Sequence, residues 1–142
     1  PFHKASDEVI EERRARGLAT AVVSVHSFTP VYKGRSRPWE IGLISDTDRS
    51  LAEPVLAGLA TRGGLTVGDN KPYAPSDGVY YTIHRHGEDR QLPCLMIEIR
   101  NDEITTPDEE TQWADLLAPL LAKAVHGGLP AGGPVAAGGA DA

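Results

Sequence analysis

Short apolar strands alternate with helical segments along this chain, and this alternation constrains its fold more than any other feature. The runs 20–25 and 93–100 are rich in β-branched and other apolar residues and have the length of buried strands. Segments 46–62 and 107–126 instead carry leucines and alanines at helical spacing, and the second follows the helix-start signal Thr106-Pro107. Strands that alternate with helices pack as a sheet covered by helices. We therefore predict an α/β domain with a mixed or mostly parallel sheet flanked by helices.

Local signals assign the other segments. Residues 6–16 predict a short charged helix capped by its first residue, a serine. Segment 27–39, with two prolines and a glycine, predicts a loop. Segment 79–85 fits a helix and a strand equally well. The segment 127–142 is almost entirely Gly, Ala and Pro and predicts a disordered tail, which leaves one domain over 1–126.

Charge and cysteine content argue against several classes of function. The 142 residues contain 14 Lys and Arg against 20 Asp and Glu, without a long basic run, so no nucleic-acid partner is expected. The longest apolar stretches are far shorter than the roughly 20 residues that span a bilayer, so no membrane partner is expected. The single cysteine, Cys94, cannot form an internal disulfide and is expected to be a buried thiol. These features predict a cytoplasmic protein.

Two titratable residues at predicted strands are candidates for chemistry. His26 follows the first strand, where an imidazole would be held rigidly as a metal ligand or general base; a partly buried histidine bonded to a backbone carbonyl is the alternative. Glu98 lies among apolar neighbours, and burial would raise its pKa into the range of a general base. The alternative for Glu98 is an outward-facing carboxylate on an edge strand, with Arg100 as a surface partner. The residue pattern alone leaves both pairs of alternatives open.

Five separated motifs bring a family resemblance into view. They are Val23–Pro30, Arg37-Pro38-Trp39, Gly68–Tyr73, Thr82–His86 and Ile97–Asp102. In this order they resemble the N-formylglutamate amidohydrolase family of zinc-carboxypeptidase-like hydrolases, over most of residues 1–121. The resemblance implies a zinc-carboxypeptidase/phosphorylase-hydrolase-like fold. It also implies a zinc-dependent amide hydrolase that removes a formyl or similar acyl group from a small acidic N-acyl amino acid.

The resemblance implies roles for seven residues. His26 would be a zinc ligand, and Glu98 would be the catalytic base that takes a proton from water and passes it to the leaving amine. A bidentate guanidinium at Arg37 would suit a substrate carboxylate. Pairing with Glu98 or Asp102 explains Arg100 equally well. The full set of expected substrate-binding residues is Arg37, Asn70, Tyr73, His86 and Arg100.

One departure from the family's pattern concerns the metal. A catalytic zinc of this class takes three protein ligands, and the 142 residues contain no His-x-x-Glu motif to supply the first two. The remaining zinc ligands are expected upstream of residue 1, with the fold incomplete at its N-terminus. Three interpretations stay open: the C-terminal portion of a zinc hydrolase, a non-catalytic module that binds acidic ligands, or a truncated product whose exposed sheet edge favours association.

Overall fold

The computed structural model of the chain describes residues 1–128, with side chains to residue 127, and most of the predicted tail lies outside the described residues. Three short 3-10 turns, Pro75–Asp77, Glu88–Arg90 and Asn101–Glu103, connect the longer elements. Those elements are α1 (Phe2–Ala15), β1 (Val22–Phe28), β2 (Val31–Tyr32), β3 (Arg35–Ser36), β4 (Ile41–Ile44), α2 (Ala52–Arg62), β5 (Val67–Asp69), α3 (Tyr81–His86), β6 (Cys94–Arg100) and α4 (Pro107–Gly128).

The main sheet has four strands in the order β1-β6-β4-β5. Strand β6 pairs in parallel with β1 and antiparallel with β4, and β4 pairs in parallel with β5. Strands β2 and β3 form a separate two-stranded hairpin. The predicted α/β class with a mixed, mostly parallel sheet is confirmed.

Helices cover both faces of this sheet because side chains alternate along each strand. On one face, Leu95 and Ile97 pack with α2 and α4 in the larger apolar core. On the other face, Cys94 and Met96 pack with Ile83 of α3 in a smaller core. Glu98 follows Met96 by two residues and therefore lies on the face of the smaller core.

Strand β1 differs from its prediction. It continues through His26 to Phe28, and the expected burial on both faces was wrong: Val25 is 61% exposed. The physical reason is its place in the sheet, since β1 pairs with β6 on one side and, in the described part of the chain, lies at the sheet edge. The apolar character of 20–25 predicted a strand but not its position.

Two helix starts differ from expectation, those of α1 and of α2, which begins at Ala52 rather than at residue 46. Helix α1 begins at Phe2 rather than at Ser6, whose hydroxyl donates to the Phe2 carbonyl within the helix instead of capping it. The open segment 79–85 is largely helical, in α3, and the predicted loop 27–39 contains the β2–β3 hairpin. The predicted start of α4 is confirmed, because Thr106 Oγ1 accepts from the Glu109 amide as a capping box requires.

Cys94 is buried as predicted, at the contact between β6 and the turn after α3. A Cβ added at Gly87 would collide with the Cys94 side chain, so the two backbones approach closely there. Burial raises the pKa of the Cys94 thiol to about 12. Among residues 1–128, no helix combines the length and apolar character needed to cross a bilayer.

Candidate active site

Glu98 is a buried carboxylate on the central strand β6. Its register partners are His26 on β1 and Gly42 on β4, so strands flank it on both sides and its side chain is only 3% exposed. Within residues 1–128 no group donates a hydrogen bond to Oε2. Burial raises the pKa of Glu98 to about 7, and the positive charge of Arg37 acts in the opposite direction. The alternative of an outward-facing glutamate on an edge strand was wrong.

Arg37 supplies a buried positive charge near Glu98. Its side chain is 8% exposed, and Nη1 donates to the Tyr73 hydroxyl at 3.1 Å and to the Thr29 carbonyl at 3.4 Å. In the described part of the chain, no carboxylate oxygen lies within 4.0 Å of the Arg37 guanidinium nitrogens, so Arg37 has no ion-pair partner there. Its Nε and Nη2 make no hydrogen bond with these residues. A buried guanidinium that leaves donors free is suited to an incoming carboxylate.

Aromatic rings surround the Arg37 guanidinium. Its Cζ atom lies 4.5 Å from the ring centroid of Tyr32, 4.9 Å from that of Tyr73 and 5.7 Å from that of Phe28. These cation–π contacts partly replace the hydration that burial removes. Sequence reasoning missed Phe28 and Tyr32, because nothing in the spacing of a proline-rich loop shows that it folds back over Arg37.

A close backbone approach brings Tyr73 to this place. The loop before it lies directly on the sheet, where a Cβ at Gly42 would collide with the Lys71 carbonyl oxygen. Asn70, with φ 51°, holds the start of the loop because its Oδ1 accepts from the Ser45 amide at 2.9 Å. Gly42 is the register partner of Glu98, so the same contact places Tyr73 close to the carboxylate's strand. A substrate contact by Asn70 stays a prediction.

Arg100 anchors the loop that carries Arg37. Its guanidinium pairs with Asp102 and Glu103, each at 2.7 Å. Nη1 also donates to the backbone carbonyls of Pro38 and Trp39, at 3.2 and 3.3 Å. These contacts favour a positioning role for Arg100, and its contact with substrate stays a prediction.

His26 lies on the same face of the sheet as Glu98, because register partners in parallel strands point to the same side. The His26 side chain is exposed and lines a cleft of about 770 Å³ between α1 and β1. Ser24, Thr82 and His86 also line this cleft, whereas Glu98 does not. The structure thus places His26 beside Glu98 without enclosing the two in one cavity.

His86 is almost completely buried, with 1% exposure, and contacts two residues of α1. Its Nε2 forms a hydrogen bond of 2.9 Å with His3 Nδ1. Its Nδ1 lies 3.2 Å from Asp7 Oδ1, but this second contact lacks the geometry of a hydrogen bond. Burial lowers the pKa of His86, and Asp7 opposes this shift. Asp7 in turn pairs with Arg85 and Arg90, at 2.8 and 2.6 Å.

The histidines do not assemble a metal centre by themselves. Among residues 1–128 no group of three or more His, Cys, Asp or Glu side chains could hold a metal ion. A catalytic zinc requires three protein ligands, and His26 offers one. The described residues therefore do not fit a complete zinc site.

Comparison with known proteins decides the family. Residues 1–105 match the family model described as N-formylglutamate amidohydrolase. The chain belongs to the N-formylglutamate amidohydrolase family. The predicted resemblance is confirmed for this part of the chain, which includes Arg37, Glu98 and all five motifs.

Two solved structures, each of a bacterial protein, are similar in fold. The gene product Atu2144 from Agrobacterium tumefaciens is 47% identical, with a TM-score of 0.84 over 89% of this chain and 50% of that one. The N-formylglutamate amidohydrolase from Ralstonia eutropha JMP134 is 22% identical, with a TM-score of 0.65 over 89% of this chain and 51% of that one. The chain thus spans about half the length of these two proteins. No curated protein matches it.

Proposed function

We propose that this chain carries the catalytic base and the carboxylate-binding arginine of an amide hydrolase for small acidic N-acyl amino acids, such as N-formyl-L-glutamate. One observation carries the proposal: within the described residues, a buried carboxylate, Glu98, with an unpartnered oxygen lies near a buried arginine, Arg37, with free donors. Family membership supports the reaction class, in which N-formyl-L-glutamate and water give L-glutamate and formate.

Glu98 is suited to move the proton in this reaction. A base works best when its pKa is close to the working pH, and the pKa of Glu98 is about 7. Ionised Glu98 accepts a proton from a water molecule while the water oxygen bonds to the amide carbon. Protonated Glu98 then donates that proton to the amide nitrogen as the C–N bond breaks. The base ends the cycle ionised, as it began.

Arg37 is suited to hold the substrate. A ligand carboxylate that pairs with its free donors would neutralise a charge that now has aromatic neighbours and no ion-pair partner among the described residues. Tyr73 fixes the guanidinium by accepting from Nη1. We propose Tyr73 and His86 as further substrate contacts, together with Asn70 and Arg100 if their anchoring bonds open.

Zinc dependence remains a proposal about His26. We propose His26 as one ligand, to be completed by groups outside the described residues. We also propose a cytoplasmic location, supported by the one cysteine being buried and free.

Calorimetric titration of the 142-residue chain with N-formyl-L-glutamate tests the carboxylate site. Arg37→Gln should weaken binding at least about thirtyfold, because loss of one partner of a buried charge pair costs roughly 2 kcal/mol or more. Arg35→Gln is the matched control, since this arginine is exposed on strand β3, two residues before Arg37, and its substitution should leave binding unchanged. Equal losses in the two variants would refute the assignment of Arg37.

A second measurement separates hydrolase from binding module. The absence of a three-ligand cluster among residues 1–128 favours the non-catalytic alternative for the chain alone. Formate release with and without added zinc decides between them. A hydrolase releases formate and loses this activity in Glu98→Gln, whereas a binding module takes up the ligand and releases none.

A further inference from the structure

The β2–β3 hairpin places an aromatic side chain over the Arg37 charge. Val31 pairs with Ser36 and Tyr32 with Arg35, and the two turn residues Lys33 and Gly34 have φ values of 49° and 73°. Two consecutive positive φ values are typical of the tight turn that matches the twist of a hairpin. The hairpin therefore holds Tyr32 in a defined position.

Tyr32 is the outermost of the three rings around the guanidinium. Phe28 is buried and Tyr73 is half-buried, whereas Tyr32 is 52% exposed although its centroid lies nearest to Cζ, at 4.5 Å. Lys33 Nζ lies 5.3 Å from the same ring. Tyr32 is thus about half exposed to solvent while its ring lies against the Arg37 guanidinium.

We infer that Tyr32 is a specificity-determining residue that selects flat carboxylates over tetrahedral anions at Arg37. The inference rests on the proposed function, because it assumes that Arg37 binds a ligand carboxylate. Tyr73 and Thr29 occupy Nη1, and among residues 1–128 no group accepts from the donors on Nε and Nη2.

The ring acts through shape and through solvent exclusion. A planar carboxylate can accept hydrogen bonds from two guanidinium donors in the plane of the guanidinium, while it lies beside the surrounding rings. A tetrahedral anion always carries an oxygen outside that plane, where an adjacent ring leaves less room. The ring also keeps water from one side of the charge, which strengthens its attraction for an anion.

Two dianions with the same three-carbon linker provide the test. Glutarate carries planar carboxylates, and 1,3-propanedisulfonate carries tetrahedral sulfonates. Calorimetry on the 142-residue chain should show that glutarate binds at least about tenfold more tightly, and Arg37→Gln should abolish this binding. Tyr32→Ala should weaken glutarate about fivefold, as loss of one cation–π contact implies, and bring the two dissociation constants within about twofold of each other.

Matched variants keep the result interpretable. Tyr32→Phe retains the ring and should keep the wild-type preference, and Val31→Ala, exposed on the same hairpin, should keep it too. An unchanged preference in Tyr32→Ala, with glutarate still bound through Arg37, overturns the role of Tyr32 and leaves the proposed function intact. Failure of the wild-type chain to bind glutarate overturns the inference about Tyr32, and failure to bind N-formyl-L-glutamate as well overturns the proposed function.

Discussion

Glu98→Gln should change how stability depends on pH, because the native state perturbs this carboxyl strongly. Its pKa rises from an ordinary 4.5 to about 7 on folding, so the native state holds the proton more tightly than the unfolded chain does. Stability from this group is therefore fully present below pH 4.5 and is lost as the pH rises towards 7. Glutamine has nearly the same shape and never ionises.

The size of the effect follows from linkage. One pKa unit corresponds to about 1.4 kcal/mol, and the two titration curves together give a wild-type loss of about 2.5 kcal/mol between pH 5 and pH 8. The other titrating groups are the same in both proteins and largely cancel in the difference. The free energy of unfolding of Glu98→Gln, relative to wild type, should therefore increase by about 2.5 kcal/mol over this interval.

Urea denaturation at several pH values measures this difference, with tryptophan fluorescence as the signal. Glu110→Gln is the control, because Glu110 is exposed and its substitution should give a nearly constant difference. A constant difference for Glu98→Gln as well would refute the reasoning, since it would mean that the native state does not keep Glu98 from ionising.

Two further substitutions test the surroundings of the site. Gly42→Ala should lower the free energy of unfolding by about 1–3 kcal/mol and weaken N-formyl-L-glutamate binding, because its Cβ would push the Lys71 carbonyl, and with it Tyr73, away from the sheet. Gly127→Ala is the control, since open space surrounds Gly127. Equal urea midpoints for the two variants would contradict the predicted collision. His86→Gln should reduce the loss of stability as the pH falls below 6.5, because burial lowers the pKa of His86 and its protonation destabilises the folded state. Substitution of the exposed His84 on the same helix provides the control. A His86→Gln profile of stability against pH identical to that of wild type would contradict the lowered pKa of His86.

Local sequence patterns predicted which segments form strands and helices. They predicted less well which elements lie beside one another. The run 93–100 is apolar enough to predict β6, but the pattern left burial and exposure of Glu98 open, and the structure shows that it is buried. The same reasoning applied to 20–25 gave a strand but the wrong degree of burial. Hydrophobicity along a segment reports what its side chains favour, whereas the exposure of Val25 depends on which strands pair on either side.

Sequence patterns could not predict the contacts between segments that are far apart in the chain. His3 and Asp7 contact His86 across about 80 positions, and no spacing rule links residues so far apart. Arg37 was selected from its motif, but its aromatic surroundings depend on a hairpin inside a segment that looked like a loop. The metal expectation for His26 came from its position at a strand end and from the family resemblance, and the geometry adds only that it lies in register with Glu98.

The contact between Cys94 and Gly87 gives the molecule a reporter of its own motions. Alkylating reagents attack the thiolate, and a buried thiol with a pKa of about 12 offers almost none at neutral pH. Reaction requires the turn after α3 to separate from β6 and expose the sulfur. Because the chain has a single cysteine, the rate at which the native protein is alkylated reports how often this turn separates from β6. No introduced label is needed.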